Sequence, residues 1–177
     1  MQSSEIIWGL TLAMTLIAAL TDWRSHRIPN WLTVPALLLG VAVHTQLSGW
    51  HGTLFALEGA SLALLLLLAP VLTRVLGAGD WKLMGAVGAF LGPVLMLVVL
   101  FCSLLASGLM AVVQMIRAHR VVETIRNMIV LARGFFAFGV KPNPQISLDN
   151  PALMRLPFGV AVALATVICF CAAHWAA

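Results

Sequence analysis

Long uncharged runs of apolar residues recur along the whole chain, and short polar stretches separate them. Most of these runs approach the roughly 20 residues that a helix needs to cross the hydrocarbon core of a bilayer. The pattern predicts about six membrane segments, at residues 6–21, 31–46, 54–73, 83–91, 94–116 and 156–175. The predicted fold class is therefore all-α, a polytopic integral membrane helical bundle, with residues 1–177 forming a single membrane-embedded domain.

The stretch 83–116 carries no charge over 34 residues, which is too long for one crossing. As a single helix it would be about 51 Å long, against a hydrocarbon core of about 30 Å. Gly92 and Pro93 interrupt the stretch, and proline in a helix interior kinks or ends the helix. We therefore expect a short segment that follows the Gly-Ala-Gly-Asp turn and a full-length segment after Pro93.

Composition supports the membrane class and limits the partners. The chain is 62% hydrophobic and 9% charged, with a mean hydropathy of +1.03, whereas soluble domains carry about 25% charged residues. The net charge of +4 does not indicate a nucleic-acid partner, because no basic stripe with interleaved aromatic residues is present. The three cysteines lie inside apolar runs without C-x-x-C spacing, so we predict no metal site and no cofactor.

The positions of the basic residues predict the orientation of the chain. With the N-terminus outside and six crossings, all ten Lys and Arg residues fall on the cytoplasmic side, and the short outer loop "LSGWHG" has none. This distribution follows the positive-inside rule. A single crossing by residues 83–116 would place the following arginines outside, against that rule.

The longest polar stretch, at about 117–155, is expected on the cytoplasmic side. Apolar residues recur three and four positions apart within residues 121–136, and charged residues fill the gaps. This spacing predicts an amphipathic helix on the inner membrane surface, followed by a turn-rich loop. No inverted repeat of the kind found in many transporters is visible along the chain.

Two of the six acidic residues lie where a charged side chain has a high free-energy cost. Asp22 ends the first predicted segment and Asp80 starts a later one, both at the cytoplasmic edge of the membrane. Acidic residues within membrane segments usually face a bundle interior or a water-filled cavity and mark a functional site. Gly77 and Gly79 allow close backbone approach, which suits a tight turn that brings Asp80 to a crowded site.

Structural roles for these aspartates stay open at this point. Asp80 could be the N-cap of a helix that begins at Trp81, and Asp22 could pair with Arg24. Alternatively, two carboxylates that share one proton provide a general base to activate water and a general acid to protonate a leaving amine. No Ser/His or Cys/His arrangement in the chain competes with this chemistry. Our working hypothesis is that Asp80 is the general base and Asp22 the general acid.

Two motifs around these residues resemble those of a known family. The stretches "TDWRSHRIPN" (21–30) and "GAGDWKL" (77–83) are similar to the two aspartate motifs of type IV prepilin peptidases, membrane aspartic proteases with a G-x-G-D signature. The stretch "RLPFGVAVALAT" (155–166) is similar to the final span of the small pilus-assembly members. The compact chain looks like the peptidase of tight-adherence (Flp) pili, with archaeal-type preflagellin peptidases as near neighbours.

The resemblance implies cleavage of a short basic leader from prepilins at the cytoplasmic face of the bacterial inner membrane. Asp22 and Asp80 would be the catalytic pair, and the glycines before Asp80 would shape the site. Arg24, Arg27 and Lys82 would orient the substrate or anchor the chain at the inner surface. Larger family members also methylate the new N-terminus through a segment with C-x-x-C motifs, which this sequence does not contain.

Two other classes of function are alternatives. A small membrane transporter would use the acidic residues to bind a cation, but both residues are predicted at one membrane face rather than at the midplane. A non-catalytic pilus-assembly scaffold would use the aspartates only as caps and ion-pair partners. The partners that we expect are a prepilin substrate and the lipid bilayer, and the sequence leaves the formation of a homo-oligomer open.

Overall fold

The computed structural model describes residues 2–117 and 157–175. The chain is helical over these ranges and contains no strand there. The elements are α1 (Gln2–Ser25), α2 (Asn30–Leu66), α3 (Leu68–Leu72), α4 (Ala78–Arg117) and α5 (Phe158–Trp175). The all-α prediction is thereby confirmed. The amphipathic helix predicted at 121–136 and the loop that follows it lie outside the described residues.

Four of the described helices are long and apolar enough to cross a membrane, namely α1, α2, α4 and α5. The helices α2 and α4 contain 37 and 40 residues. At 1.5 Å per residue they would be about 55 and 60 Å long if straight, roughly twice the hydrocarbon thickness. Each of these two helices is interrupted once. With four such apolar helices, the chain is a helical membrane protein.

The break in α2 reverses the direction of the chain. Ser48 and Gly49 have non-helical dihedrals, with φ of −137° and 57°. The hydroxyl oxygens of Thr45 and Thr53 are 2.8 Å apart, although the two residues are eight positions apart. An unbroken helix would separate them by about 12 Å along its axis. The two arms of α2 therefore fold back against each other next to the break.

The break in α4 falls at Gly92 and Pro93, where the sequence predicts it. Gly92 has a φ of 74°, and a side chain at this position would collide with the ring of Phe55. The carbonyl of Phe90, just before the break, accepts a hydrogen bond of 2.8 Å from Nε2 of buried His44. A side chain of α2 thus satisfies a carbonyl of α4 where the helix is interrupted.

The predicted count of six crossings is not confirmed as such. The described residues contain four candidate spans, and two of them consist of two arms each because glycine interrupts them. Together with α1 and α5, the arms correspond to the six predicted segments, so six crossings remain a prediction. The arms cover residues 30–47 and 50–66 in α2, and 78–91 and 93–117 in α4.

The core of the bundle surrounds the first arm of α4. Residues 83–92 are buried on all sides. Close backbone approach makes this possible, because Gly59 and Gly88 face each other where any side chain would collide with the opposite backbone. Gly40 approaches Ala89 in the same way, with 3.0 Å between an ideal methyl at Gly40 and the Ala89 methyl. Small residues commonly permit such contacts between membrane helices.

The second arm of α4 is buried along one stripe only. Its fully or nearly fully buried residues recur three and four positions apart, which is the spacing of one helix face. These residues are Met96, Val99, Leu100 and Ser103. The first arm is therefore the central element of the bundle, and its first turn carries Asp80.

Candidate active site

Asp22 lies in the last turn of α1 and is only 5% exposed. The helix ends at Ser25, because His26 takes the left-handed conformation with a φ of 49°. The His26 amide donates a hydrogen bond of 2.8 Å to the Asp22 carbonyl. The carboxylate of Asp22 points into the bundle, where its Oδ2 accepts a hydrogen bond of 2.7 Å from the backbone amide of Gly159 in α5.

Asp80 is the third residue of α4, because this helix begins at Ala78. The alternative that Asp80 is the N-cap of a helix beginning at Trp81 is therefore wrong. The Asp80 carboxylate instead turns back toward Gly77, and an ideal methyl group at Gly77 would lie 2.9 Å from its Oδ2. An acidic residue in the first turn is favourable there, because the first amides of a helix have no partner inside it.

The first turn of α4 is also held against α2. The indole nitrogen of Trp81 donates a hydrogen bond of 2.7 Å to the carbonyl of Leu64. The ammonium group of Lys82 donates one of 2.9 Å to Oδ1 of Asn30, at the start of α2. The two residues that follow Asp80 thus tie the first turn of α4 to both arms of α2.

Different helices carry the two aspartates, and the charge of Asp22 acts on Asp80. Ile28 lies between the first turns of α4 and α5. A methyl group placed at Gly79 would be 3.0 Å from the Ile28 carbonyl oxygen, and one placed at Gly159 would be 3.2 Å from its Cδ1. Ile28 therefore sets how closely the turn that carries Asp80 approaches the turn that binds Asp22.

The basic residues predicted to orient the substrate do not contact the aspartates directly. Lys82 binds Asn30, as described above. Arg24 and Arg27 are exposed, and within the described part of the chain Arg24 makes no ion pair with Asp22. The proposed Asp22–Arg24 pair is thus not formed. A role of these three residues in binding the substrate stays a prediction.

Gly159 and Ile28 contribute to the site but were not among the predicted site residues. A signal for both was present, since Ile28 belongs to the "TDWRSHRIPN" motif and Gly159 to "RLPFGVAVALAT". Neither has a functional side-chain group, so a search for chemistry in the sequence does not select them. Within residues 2–117 and 157–175, no group of three or more His, Cys, Asp or Glu residues could hold a metal ion.

The fold and the site describe a helical membrane protein with Asp22 in the last turn of α1 and Asp80 in the first turn of α4. The model of the type IV leader peptidase family matches residues 9–112, which is more than half of the chain and includes both aspartates. The chain belongs to this family, and the resemblance inferred from the two motifs is confirmed. Searches of curated proteins and of solved structures found no match.

Proposed function

We propose that the chain is an aspartic endopeptidase that removes the short basic leader from Flp-like type IV prepilins at the cytoplasmic face of the bacterial inner membrane. The observation that carries this proposal is the placement of Asp22 and Asp80 in end turns of α1 and α4, where the charge of Asp22 acts on Asp80, in a chain of the type IV leader peptidase family. Two neighbouring carboxyl groups that share one proton supply both catalysts that peptide hydrolysis requires.

The reaction then proceeds by one addition and one elimination. The ionised carboxylate takes a proton from water while the water oxygen bonds to the carbonyl carbon of the scissile peptide. The protonated carboxyl group gives its proton to the peptide nitrogen as the C–N bond breaks. The products are the leader with a new carboxyl group and the pilin with a new amino group. The proton has moved from one carboxyl group to the other, so the pair has the same total charge before and after the reaction. Because the two groups interact, an apparent pKa describes the pair and not one aspartate.

The location of the pair at one end of the bundle supports the proposed membrane face. Asp22 is in the last turn of α1 and Asp80 in the first turn of α4. Arg24, Arg27 and Lys82 lie at the same end of these helices. Since basic residues favour the cytoplasmic side, this end is expected at the inner surface. A leader that directly precedes an apolar membrane helix would lie at the inner membrane surface, level with the two aspartates.

Replacing either aspartate by asparagine tests the proposal. We expect Asp22→Asn and Asp80→Asn each to lower prepilin cleavage by about 10² to 10⁴-fold, because asparagine can neither accept nor deliver the proton. The measurement is coexpression with an Flp-type prepilin, with the shorter product quantified by mass spectrometry. Glu58→Gln, at an exposed position of α2, is the matched control and should cleave like the wild type.

The same variants separate the alternatives. The thermal unfolding of each purified variant shows whether the fold persists. A scaffold would tolerate both asparagine substitutions, and a transporter would lose transport while prepilin processing continued. Cleavage at the wild-type rate by either folded aspartate variant would contradict the proposed function.

A further inference from the structure

We propose that the backbone amide of Gly159 positions the Asp22 carboxylate for catalysis, so that α5 is part of the active site. This inference rests on the function proposed above. The contact joins residues 137 positions apart, is buried, and measures 2.7 Å between the amide nitrogen and Oδ2. Gly159 also lies outside residues 9–112, which the family model matches.

The hydrogen bond determines which oxygen of Asp22 takes part in proton transfer. An amide N–H binds an oxygen that carries no proton, so Oδ2 is the acceptor and the shared proton lies on the side of Oδ1. Asp22 is 5% exposed, and a buried carboxylate is costly unless it is hydrogen-bonded. Hydrogen bonds with an ionised partner are also stronger than neutral ones, so this contact favours ionised Asp22 as the general base, the reverse of the working hypothesis that Asp22 is the acid. Gly159 therefore holds the carboxylate in one orientation.

The first turn of α5 is suited to this task. Gly159 is the second residue of α5, and the first four amides of a helix have no partner inside it. Its amide is therefore available without loss of a helical hydrogen bond. Asp22 lies at the C-terminal end of α1, where the helix dipole disfavours a negative charge, whereas the N-terminal end of α5 favours one.

Glycine at position 159 allows α5 to approach closely enough. An ideal methyl group there would lie 3.0 Å from Oδ2 and 3.1 Å from Cβ of Asp22. A side chain would therefore displace the carboxylate that the amide holds. Asp22 thus has one glycine amide as a fixed partner, which leaves its remaining acceptor capacity for water and the shared proton.

A backbone ester isolates the amide from the shape of the residue. Glycolic acid in place of Gly159, introduced by nonsense suppression during cell-free synthesis into nanodiscs, removes the N–H and adds no side chain. We expect kcat for prepilin cleavage to fall about ten- to a hundredfold, the loss typical of one hydrogen bond to a charged group. KM should stay unchanged, because the amide binds Asp22 and not the substrate.

The matched control is an ester at Val160, the next residue of the same turn. The Val160 amide donates to the carbonyl of Pro157 at 3.1 Å, so its replacement weakens the turn but leaves Asp22 bound. The ester at 160 should lower kcat by less than about threefold, since it removes one neutral hydrogen bond at a helix end. Equal losses from both esters, or a change in KM alone, would overturn the inference.

Nuclear magnetic resonance provides a readout that does not depend on activity. Labelling with phenylalanine ¹³C-carbonyl and glycine ¹⁵N selects two Phe-Gly pairs, at 138–139 and 158–159, and Gly139→Ala leaves only the second. We expect the amide proton of Gly159 to move upfield in Asp22→Ala and to keep its position in Glu58→Gln. A resonance that does not respond to Asp22→Ala would overturn the inference.

The two readouts separate this inference from the proposed function. An unmodified protein that cleaves no prepilin would refute the proposed function, and the inference about catalysis with it. An active enzyme whose kcat is the same with and without the Gly159 amide would refute only the inference.

Discussion

The helix α1 carries two carboxylates in opposite environments, and α5 provides the donor for both. At one end, Glu5 is 55% exposed and its Oε1 lies 2.7 Å from Nε2 of His174, near the end of α5. At the other end, Asp22 is 5% exposed and binds the amide of Gly159 in the first turn of α5. The same two helices thus meet twice, once through an exposed ion pair and once through a buried backbone contact.

The two contacts differ in what they cost and in what they contribute to stability. Exposed ion pairs contribute little, because solvent screens them and both side chains lose freedom. A buried carboxylate beside a second carboxylate is unfavourable unless its hydrogen bonds are satisfied. Packing alone does not require such a pair, so its presence points to a functional role.

The largest effect in this contrast is expected from Gly79→Val at the buried end. A methyl group at Gly79 would lie 3.0 Å from the carbonyl oxygen and 3.3 Å from the amide nitrogen of Ile28. Backbone atoms cannot rotate away as a side chain can, so α4 must shift and carry Asp80 with it. We expect prepilin cleavage to fall by about 10²-fold, the typical cost of misplacing a catalytic group by about 1 Å.

The control for this substitution is Gly108→Val, in the second arm of α4. No atom lies within 4 Å of an ideal methyl group at Gly108, so the side chain should be accommodated without loss of cleavage. Comparable losses from both variants would show that the effect comes from valine in α4 and not from the contact with Ile28.

A smaller effect is expected from the contact between Lys82 and Asn30. Lys82→Met removes the donor but keeps the apolar stem, and Asn30→Ala removes the acceptor of the 2.9 Å hydrogen bond. The group is partly exposed, so each variant should lower cleavage by no more than about fivefold. The initial rates of the two single variants and of the double variant form a double-mutant cycle.

The cycle decides between two roles of Lys82. If its role is to hold the start of α2 against α4, the double variant will lose no more than either single variant. If Lys82 instead binds the substrate, Lys82→Met will raise KM while Asn30→Ala leaves it unchanged. The second result would support the orienting role that the family resemblance implies for this residue.

The smallest effect is expected at the exposed end. Glu5→Gln removes the charge that faces His174 but preserves the shape of the side chain. Cleavage should stay at the wild-type level, and the unfolding temperature in detergent should fall by no more than about 4 °C. The measurement is a thermal unfolding scan beside the cleavage assay. A large loss of cleavage would mean that the exposed contact also controls the buried end.

Much of the fold could be predicted because it depends on local properties of the chain. The length of the apolar runs indicates membrane helices, and the break at Gly92 and Pro93 lies where glycine and proline interrupt such a run. The start of α2 at Asn30, directly after Pro29, also follows local backbone preferences. The beginning of α4 was less predictable, because helix ends depend on which groups satisfy the first amides.

The candidate site could be predicted only in part. Asp22 and Asp80 stand out because carboxylates are rare and costly in an apolar chain. Their surroundings do not stand out in the same way. Lys82 was expected to orient the substrate or to anchor the chain at the inner surface; its hydrogen bond to Asn30 depends on how α2 packs against α4. A residue's own chemistry does not reveal its partner when that partner comes from another helix.

The sequence by itself determined that this protein is a helical membrane protein with two aspartates at helix ends, and its motifs identified the family. Hydropathy, charge and the interruption of helices by glycine and proline depend on residues close together in the sequence. These features can therefore be predicted without a structure. Only the tertiary structure decided that the amide of Gly159 holds Asp22 and that Ile28 lies between the first turns of α4 and α5. Such contacts involve backbone groups that every residue has, and only the packing of distant helices selects which of them meet.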